Sequence, residues 1–327
     1  MKKLVLAVFC LSIFSTHAQN IGHEKSAFAH TFSIVARDTV TGEMAVGVQS
    51  HWFSVGSIVS WGKSGVGVVA TQSFVNPAYG PQGLELMENG MPADIALAKM
   101  VDEDEGRAFR QVAFLDINGN VSAYTGDKCV QAAEDIQGNN FSVQANMMLN
   151  ENVVPAMANA YATNSDLALA ERVVTVMLAA QEAGGDIRGK QSAALIVVGP
   201  EKTEKSWEDK KVDLRVDDHE TPIMELGRLL KVHRAYEHMN KGDLAVEAND
   251  MEKALQEYGT AEKMFPENLE MKYWKAVALA NSGRMEEAKP IFKKVFAADE
   301  NWKEMTKRLP ASGLLNISEE ELDTLTK

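Results

Sequence analysis

The chain has 327 residues, 45% of them hydrophobic and 24% charged, so it is long enough for two domains with packed cores. Forty-six acidic residues against 33 basic ones give a formal net charge of −13, which repels phosphate backbones and anionic lipid surfaces. This balance argues against nucleic acid as a partner.

The first segment has the three regions of a secretory signal peptide. Met1-Lys2-Lys3 precedes the apolar run Leu4 to Phe14, and Ser15-Thr16-His17-Ala18 follows it. We predict cleavage after Ala18 and export to the periplasm or the medium. The run is too short to span a membrane, so no membrane insertion is expected. Cleavage also removes Cys10 and leaves Cys129 without a disulfide partner.

The next segments predict a layered domain over residues 31–200. Thr31–Arg37 and Glu43–Ser50 read as an antiparallel hairpin, and Asn118-Gly119 predicts a second hairpin. Helical periodicity covers 83–101, with a break at 89–92, and recurs at 152–162 and 166–183. Apolar strand-like runs lie at 65–70, 110–116, 121–124, 141–149, 192–198 and 212–216. This order predicts an α+β domain, with 201–234 as a connecting segment.

The C-terminal part is predicted to be a small all-α module. At an offset of 34 residues, Ala254 aligns with Ala288 and Tyr258 with Phe292, which resembles tetratricopeptide repeats over residues 235–302. Residues 303–327 are left as a tail. Because two copies are fewer than such repeats need to stand alone, we expect them to pack on Glu225–Tyr236 or on the first domain. Such a module suggests a protein partner.

Seven segments over residues 31 to about 235 resemble the bacterial DUF1028 family. They are His30–Asp38, Val48–Phe53, Gly65–Gln72, Tyr79–Pro81, Gln144–Met147, Gly185–Ala193 and Asp213–His219. Members are placed among the Ntn-hydrolase-like proteins, so the resemblance implies an αββα sandwich and an N-terminal nucleophile that attacks amide bonds. The matching residue is Thr31. Cleavage after Ala18 leaves Gln19–His30 in front of it, so a second cut is required.

Thr31 is the predicted nucleophile. Once freed, its hydroxyl would attack an amide carbonyl while its own α-amine, with an ordinary pKa near 8, would act as the base. Lys63, 32 positions later, matches the separation of nucleophile and lysine in proteasome-type relatives and would lower the pKa of that amine. The alternatives are that Thr31 is an ordinary strand residue and that Lys63 is a solvated surface cation.

Four other side chains complete the predicted site. Asn146 and Gln72 could donate hydrogen bonds to an oxyanion or a substrate carbonyl, or could instead satisfy a loop backbone. Ser33 shares the face of Thr31 by strand alternation, and His51 could orient a substrate or end a strand. We expect no metal and no cofactor. Asp213–His219 is too compact to converge on one ion and favours an ion-pair network centred on Arg215.

These features predict an exported Ntn-type amidohydrolase that acts on a small amide or peptide-like substrate. The alternative is a non-catalytic module of the same fold that binds envelope peptides or peptidoglycan fragments, with the repeats recruiting a protein. A purely structural homo-oligomer is a third possibility.

Overall fold

The computed structural model describes residues 27–327; the predicted signal peptide and most of the Gln19–His30 extension lie outside the described residues. The strands are β1 (Ala27–Ala29), β2 (Thr31–Arg37), β3 (Met44–Ser50), β4 (Ser60–Lys63), β5 (Gly67–Val75), β6 (Arg110–Asp116), β7 (Val121–Thr125), β8 (Glu134–Gly138), β9 (Phe141–Ala145), β10 (Ser192–Val198) and β11 (Lys210–Val216). The helices are α1 (Tyr79–Glu88), α2 (Ala93–Glu103), α3 (Val153–Thr163), α4 (Leu169–Glu182), α5 (Pro222–Glu247), α6 (Met251–Met264), α7 (Leu269–Asn281), α8 (Met285–Ala298), α9 (Asn301–Arg308) and α10 (Glu319–Thr326).

The strands form two antiparallel sheets. Sheet A has the order β1-β5-β6-β7, with β4 also paired to β5, and sheet B has the order β11-β10-β3-β2-β9-β8. Both predicted hairpins are present, as β2–β3 and β6–β7. At the second turn the Asp116 carboxylate accepts hydrogen bonds from the backbone N–H groups of Asn118 and Asn120, and Gly119 adopts a φ of +86°.

Side-chain alternation assigns the layers. On β2, Phe32 and Ile34 join the core beneath α3, α4 and α5, whereas Val35 faces sheet A. Helices α1 and α2 cover the outer face of sheet A through a core that includes Leu84 and Phe114. The domain therefore has four layers in the order helix, sheet, sheet, helix, and the predicted α+β class is confirmed.

Three strands of the domain were not predicted: β1, β4 and β8. β8 reads Glu-Asp-Ile-Gln-Gly and lies at the edge of sheet B, where it is held mainly by backbone pairing to β9. β1 lies within the extension that precedes Thr31 and pairs with β5. None of the three segments has the apolar run or long alternation on which strand prediction depends.

The sandwich continues past the boundary predicted at Gly199-Pro200. β11 pairs with β10 along its length and completes sheet B. Helix α5 then supplies Ile223, Leu226 and Leu230 to the core beneath sheet B. Its second half supplies Ala235 and Met239 to the core of the helical module. One continuous helix is thus shared by both parts of the chain.

The helical module has the predicted repeat. Helices α6 and α8 begin at Met251 and Met285, which are 34 positions apart, and Ala254, Tyr258, Ala288 and Phe292 are all buried. The segment left as a tail contains most of α9 and all of α10, and its Leu309 and Leu315 are buried in the core around α7 and α8. Within residues 27–327, no helix is both long and apolar enough to cross a membrane.

The ion pairs between the two parts differ from the expected network. Among the residues that the structure describes, the ion-pair partner of Arg215 is Asp213, at 3.9 Å, because β11 is an edge strand and carries the guanidinium at the rim. Arg234 of α5 pairs instead with Glu171 of α4, with N–O distances of 2.9 and 3.1 Å. Among the described residues, no group of three His, Cys, Asp or Glu side chains could hold a metal ion.

Candidate functional site

The chain crosses from one sheet to the other at the peptide bond between His30 and Thr31. Ala29 pairs with Ser73 in sheet A, whereas Thr31 pairs with Ser50 in sheet B. Thr31 is fully buried, and its hydroxyl donates a 2.7 Å hydrogen bond to the carbonyl of Ala29. The predicted nucleophile therefore begins a strand inside the space between the sheets.

The carbonyl of His30 is held by two side-chain donors. It accepts hydrogen bonds from Ser50 Oγ at 2.5 Å and from Arg188 Nη2 at 2.7 Å. Arg188 is itself fixed by a bidentate pair with Asp186, at 3.0 and 2.7 Å, and the Asp186 carboxylate is buried. A guanidinium and a hydroxyl therefore polarise this one carbonyl, and a charge-assisted hydrogen bond is the stronger kind.

The His30 side chain is tied to Asn146. Because Asn146 Nδ2 donates to Gln111, its Oδ1 accepts the 2.8 Å hydrogen bond from His30 Nδ1. Burial lowers the pKa of His30 below its usual value of 6.5, and Arg188 acts in the same direction, against the Asn146 hydrogen bond. The imidazole is therefore neutral near pH 7. The Asn146 N–H also donates to the carbonyl of Thr31, at 3.1 Å.

A buried network of amides continues from the junction, the His30–Thr31 segment at which the chain crosses between the sheets. Ser33 donates to Gln72 Oε1 at 2.6 Å and accepts from Gln144 Nε2 at 2.6 Å. Gln72 Nε2 reaches Gln111 Oε1 at 2.7 Å and the Thr31 carbonyl at 3.2 Å. Gln111 also donates to Thr125 Oγ1 and to the Ala145 carbonyl, so it links both sheets.

The structure brings together most of the residues predicted for the site. Thr31, Ser33, Gln72 and Asn146 are fully buried and connected by the hydrogen bonds described above. His51 lies beside them, but its side chain is exposed, and only its backbone N–H joins the cluster, by donating to Asp186 at 3.1 Å.

Lys63 is not brought to Thr31. It pairs with Gly67 at the start of β5, whereas Gln72, which contacts Thr31, lies five positions further on, about 17 Å along the strand. Its ammonium instead binds Glu88 at 2.5 Å, and this hydrogen bond lowers the pKa of that carboxyl. The 32-residue separation does not bring Lys63 near Thr31, because the β4–β5 hairpin carries Lys63 to the far end of sheet A. Arg188 is the cation beside Thr31.

Sequence analysis missed Ser50, Arg188, Asp186, Gln111 and Gln144. Ser50 and Arg188 lie in segments that carry the family resemblance, but nothing local indicates that they converge on one carbonyl. Their partners in the junction are 20 and 158 positions away. The available signal was polar residues inside otherwise apolar strands, as at Gln111 and Gln144.

A cavity of about 1070 Å³ opens beside the junction. Met147 and Ile187, which line it, adjoin Asn146 and Arg188 in the chain. Val130, Leu149 and Ile187 expose apolar surface at its rim. Its charged lining residues are Asp127, Glu134 and Glu151, all acidic. The cavity provides room for an uncharged or cationic ligand.

The fold and the junction define a four-layer α+β domain followed by a helical repeat module. The chain belongs to the DUF1028 family, described as a family of unknown function, which matches residues 31–226. A tetratricopeptide repeat family matches residues 245–308, and such repeats suggest protein interaction.

One solved structure supports the family assignment. The chain is similar to a crystal structure of a DUF1028 protein from Silicibacter pomeroyi, with 29% identity and a TM-score of 0.56. The similarity covers 62% of this chain and 88% of that one. Among curated proteins, none matches the chain.

Proposed function

We propose that the chain is an amide hydrolase of the N-terminal-nucleophile type, with Thr31 as the nucleophile after the His30–Thr31 bond is cut. The observation that carries this proposal is the His30 carbonyl, which Ser50 Oγ and Arg188 Nη2 hold next to the Thr31 hydroxyl. Preorganised donors on one carbonyl are what acyl transfer requires, since they stabilise the charge that develops on its oxygen.

The cut proceeds by acyl transfer within the chain. Thr31 Oγ attacks the His30 carbonyl carbon and loses its proton, and the oxyanion forms between Arg188 and Ser50. The C–N bond then breaks, the Thr31 nitrogen takes the proton, and an ester links His30 to Thr31 Oγ. Water hydrolyses this ester, which leaves a His30 carboxylate, the Thr31 hydroxyl and a free α-amine.

The same groups then act on an external amide. The α-amine of Thr31 takes the hydroxyl proton as Oγ attacks the substrate carbonyl, which Arg188 and Ser50 hold, and returns it to the leaving amine when the C–N bond breaks. Water then hydrolyses the acyl ester left on Thr31 Oγ, which releases the acid and restores the hydroxyl. Arg188 lies beside the new amine, and a neighbouring cation lowers the pKa of an amine and favours its free base. The substrate is a small amide or peptide-like molecule. No cofactor enters this scheme.

The proposal includes export and a protein partner. The signal-peptide pattern of residues 1–18 supports a periplasmic or secreted location, and the repeats support recruitment of a protein.

The N-terminal sequence and intact mass of the purified chain test the proposal. We expect a chain that begins at Thr31, no cut in Thr31→Ala, and a slower cut in Arg188→Met. Removal of one oxyanion donor typically costs about 10²–10³-fold in rate. Lys63→Ala is the matched control and should be cut at the wild-type rate, because it lies apart from the junction.

A wild-type chain that retains the His30–Thr31 bond would overturn the catalytic proposal. The cavity beside the junction favours one alternative, a non-catalytic module that binds envelope peptides or peptidoglycan fragments. In that case both the wild-type chain and Arg188→Met would retain the His30–Thr31 bond.

A further inference from the structure

One edge of β5 is divided between two short strands. β4 pairs with Gly67 to Ala70, and β1 pairs with Ser73 to Val75. β6 occupies the opposite edge. The three residues of β1 therefore fill a slot that ends at the His30–Thr31 bond. A cut at that bond would leave β1 held only by noncovalent contacts.

The slot contains a small closed pocket. The Ala29 side chain is fully buried in an apolar cluster formed by Val48, Val55, Val59, Val75 and Ala194. The neighbouring His30 ring packs edge-on to Phe74, with 6.1 Å between ring centroids, and bonds Asn146. The two positions differ in kind: one takes a methyl group, and the other takes a ring with a hydrogen-bonding nitrogen.

We propose that β1 occupies the acyl-side substrate site of the mature enzyme, and that this site takes an extended peptide with a small apolar residue in the place of Ala29. The inference rests on the proposed function and names its substrate class. The peptide adds a strand to the exposed edge of β5, and its next residue presents a carbonyl to Ser50 and Arg188 where His30 now does.

Backbone pairing and the pocket have separate tasks in this arrangement. Main-chain hydrogen bonds to an open sheet edge bind any extended peptide, whereas pockets for alternate side chains select among peptides. Because β1 is only three residues long, its hold on the edge is weak once the covalent link is lost. Exchange with a substrate peptide then becomes feasible.

The experiment uses the processed chain, separated from its released segment under mild denaturation and refolded. The probe is acetyl-Phe-Ala-His-amide, and the matched peptide is acetyl-Phe-Leu-His-amide, with binding measured by calorimetry. We expect the alanine peptide to bind at least tenfold more tightly, because leucine overfills the closed pocket. Val55→Ala, which enlarges the pocket, should recover much of the affinity for the leucine peptide.

Equal affinities for the two peptides, or no binding of either by a chain that begins at Thr31, would overturn this inference and leave the proposed function standing. A chain that remains uncut would overturn both. A released peptide that ends at His30 and copurifies with the processed chain under native conditions would support the slot directly.

Discussion

At the scale of single residues, the junction buries many polar groups, and burial of a polar group lowers the free energy of unfolding unless the group is hydrogen-bonded. Gln72, Gln111, Gln144 and Asn146 are all fully buried, and a buried amide without a partner costs about 1–3 kcal/mol. Gln111 is central to this network, because its side-chain oxygen accepts hydrogen bonds from both Gln72 and Asn146.

We therefore expect Gln111→Leu to lower the free energy of unfolding by about 2–4 kcal/mol, since it removes partners from two buried amides. The measurement is urea unfolding of the Thr31→Ala chain, which keeps one covalent form. Gln137→Leu, at an exposed position of β8, is the control and should change stability by less than about 0.5 kcal/mol. Equal losses at the two positions would contradict the role of the network.

His30 predicts how the uncut chain responds to acid. Its pKa is lowered in the folded state, chiefly by burial, so the unfolded chain binds more protons as the pH falls below about 6.5. Stability should therefore decrease from pH 7 towards the lowered folded-state pKa. Unfolding of Thr31→Ala with and without His30→Gln tests this. The chain that also carries His30→Gln should lose less stability between pH 7 and 5.

At the scale of elements, two glycines in neighbouring helices should respond to alanine with opposite signs. A Cβ at Gly242 would lie 2.4 Å from the Tyr258 ring, whereas a Cβ at Gly259 would meet nothing within 4 Å. Overpacking costs about 1–3 kcal/mol, and replacing a helical glycine by alanine gains about 0.5–1 kcal/mol.

We expect Gly242→Ala to destabilise the helical module and Gly259→Ala to stabilise it slightly. Thermal unfolding followed by circular dichroism measures both variants. A stabilising Gly242→Ala would show that α5 and α6 can separate at no cost, which would contradict the close packing described here.

The elements also show how far sequence reasoning reaches. Hairpins with strong turn signals and helices with long periodicity were predicted correctly, because local chemistry determines them. β1, β4 and β8 were missed since their pairing depends on a partner strand. The same limit applies to the site. Alternation placed Ser33 on the face of Thr31, but only the folded chain shows that Arg188, rather than Lys63, reaches the junction.

At the scale of the whole molecule, α5 connects the two parts physically. Its first half completes the core of the sandwich, and Arg234 anchors the helix to Glu171 of α4. Hydrogen bonds to Glu171 hold the pKa of Arg234 above its usual range, against the effect of burial. The sandwich should therefore need the beginning of α5 but none of the repeats.

Two truncations separate these requirements. A chain ending at Glu237 keeps Ile223, Leu226, Leu230 and the Arg234 pairs, so we expect it to unfold cooperatively and to be cut at Thr31 at the rate of the full chain, if the proposed function holds. A chain ending at Glu220 loses three buried apolar side chains of about 1.5–3 kcal/mol each, roughly 5–9 kcal/mol together. Since small domains are stable by only about 5–15 kcal/mol, that chain should be largely unfolded or aggregated. Urea unfolding of the two chains tests whether each one folds, and N-terminal sequencing tests whether each one is cut at Thr31. If the shorter chain folded and were cut normally, α5 would belong to the repeat module alone.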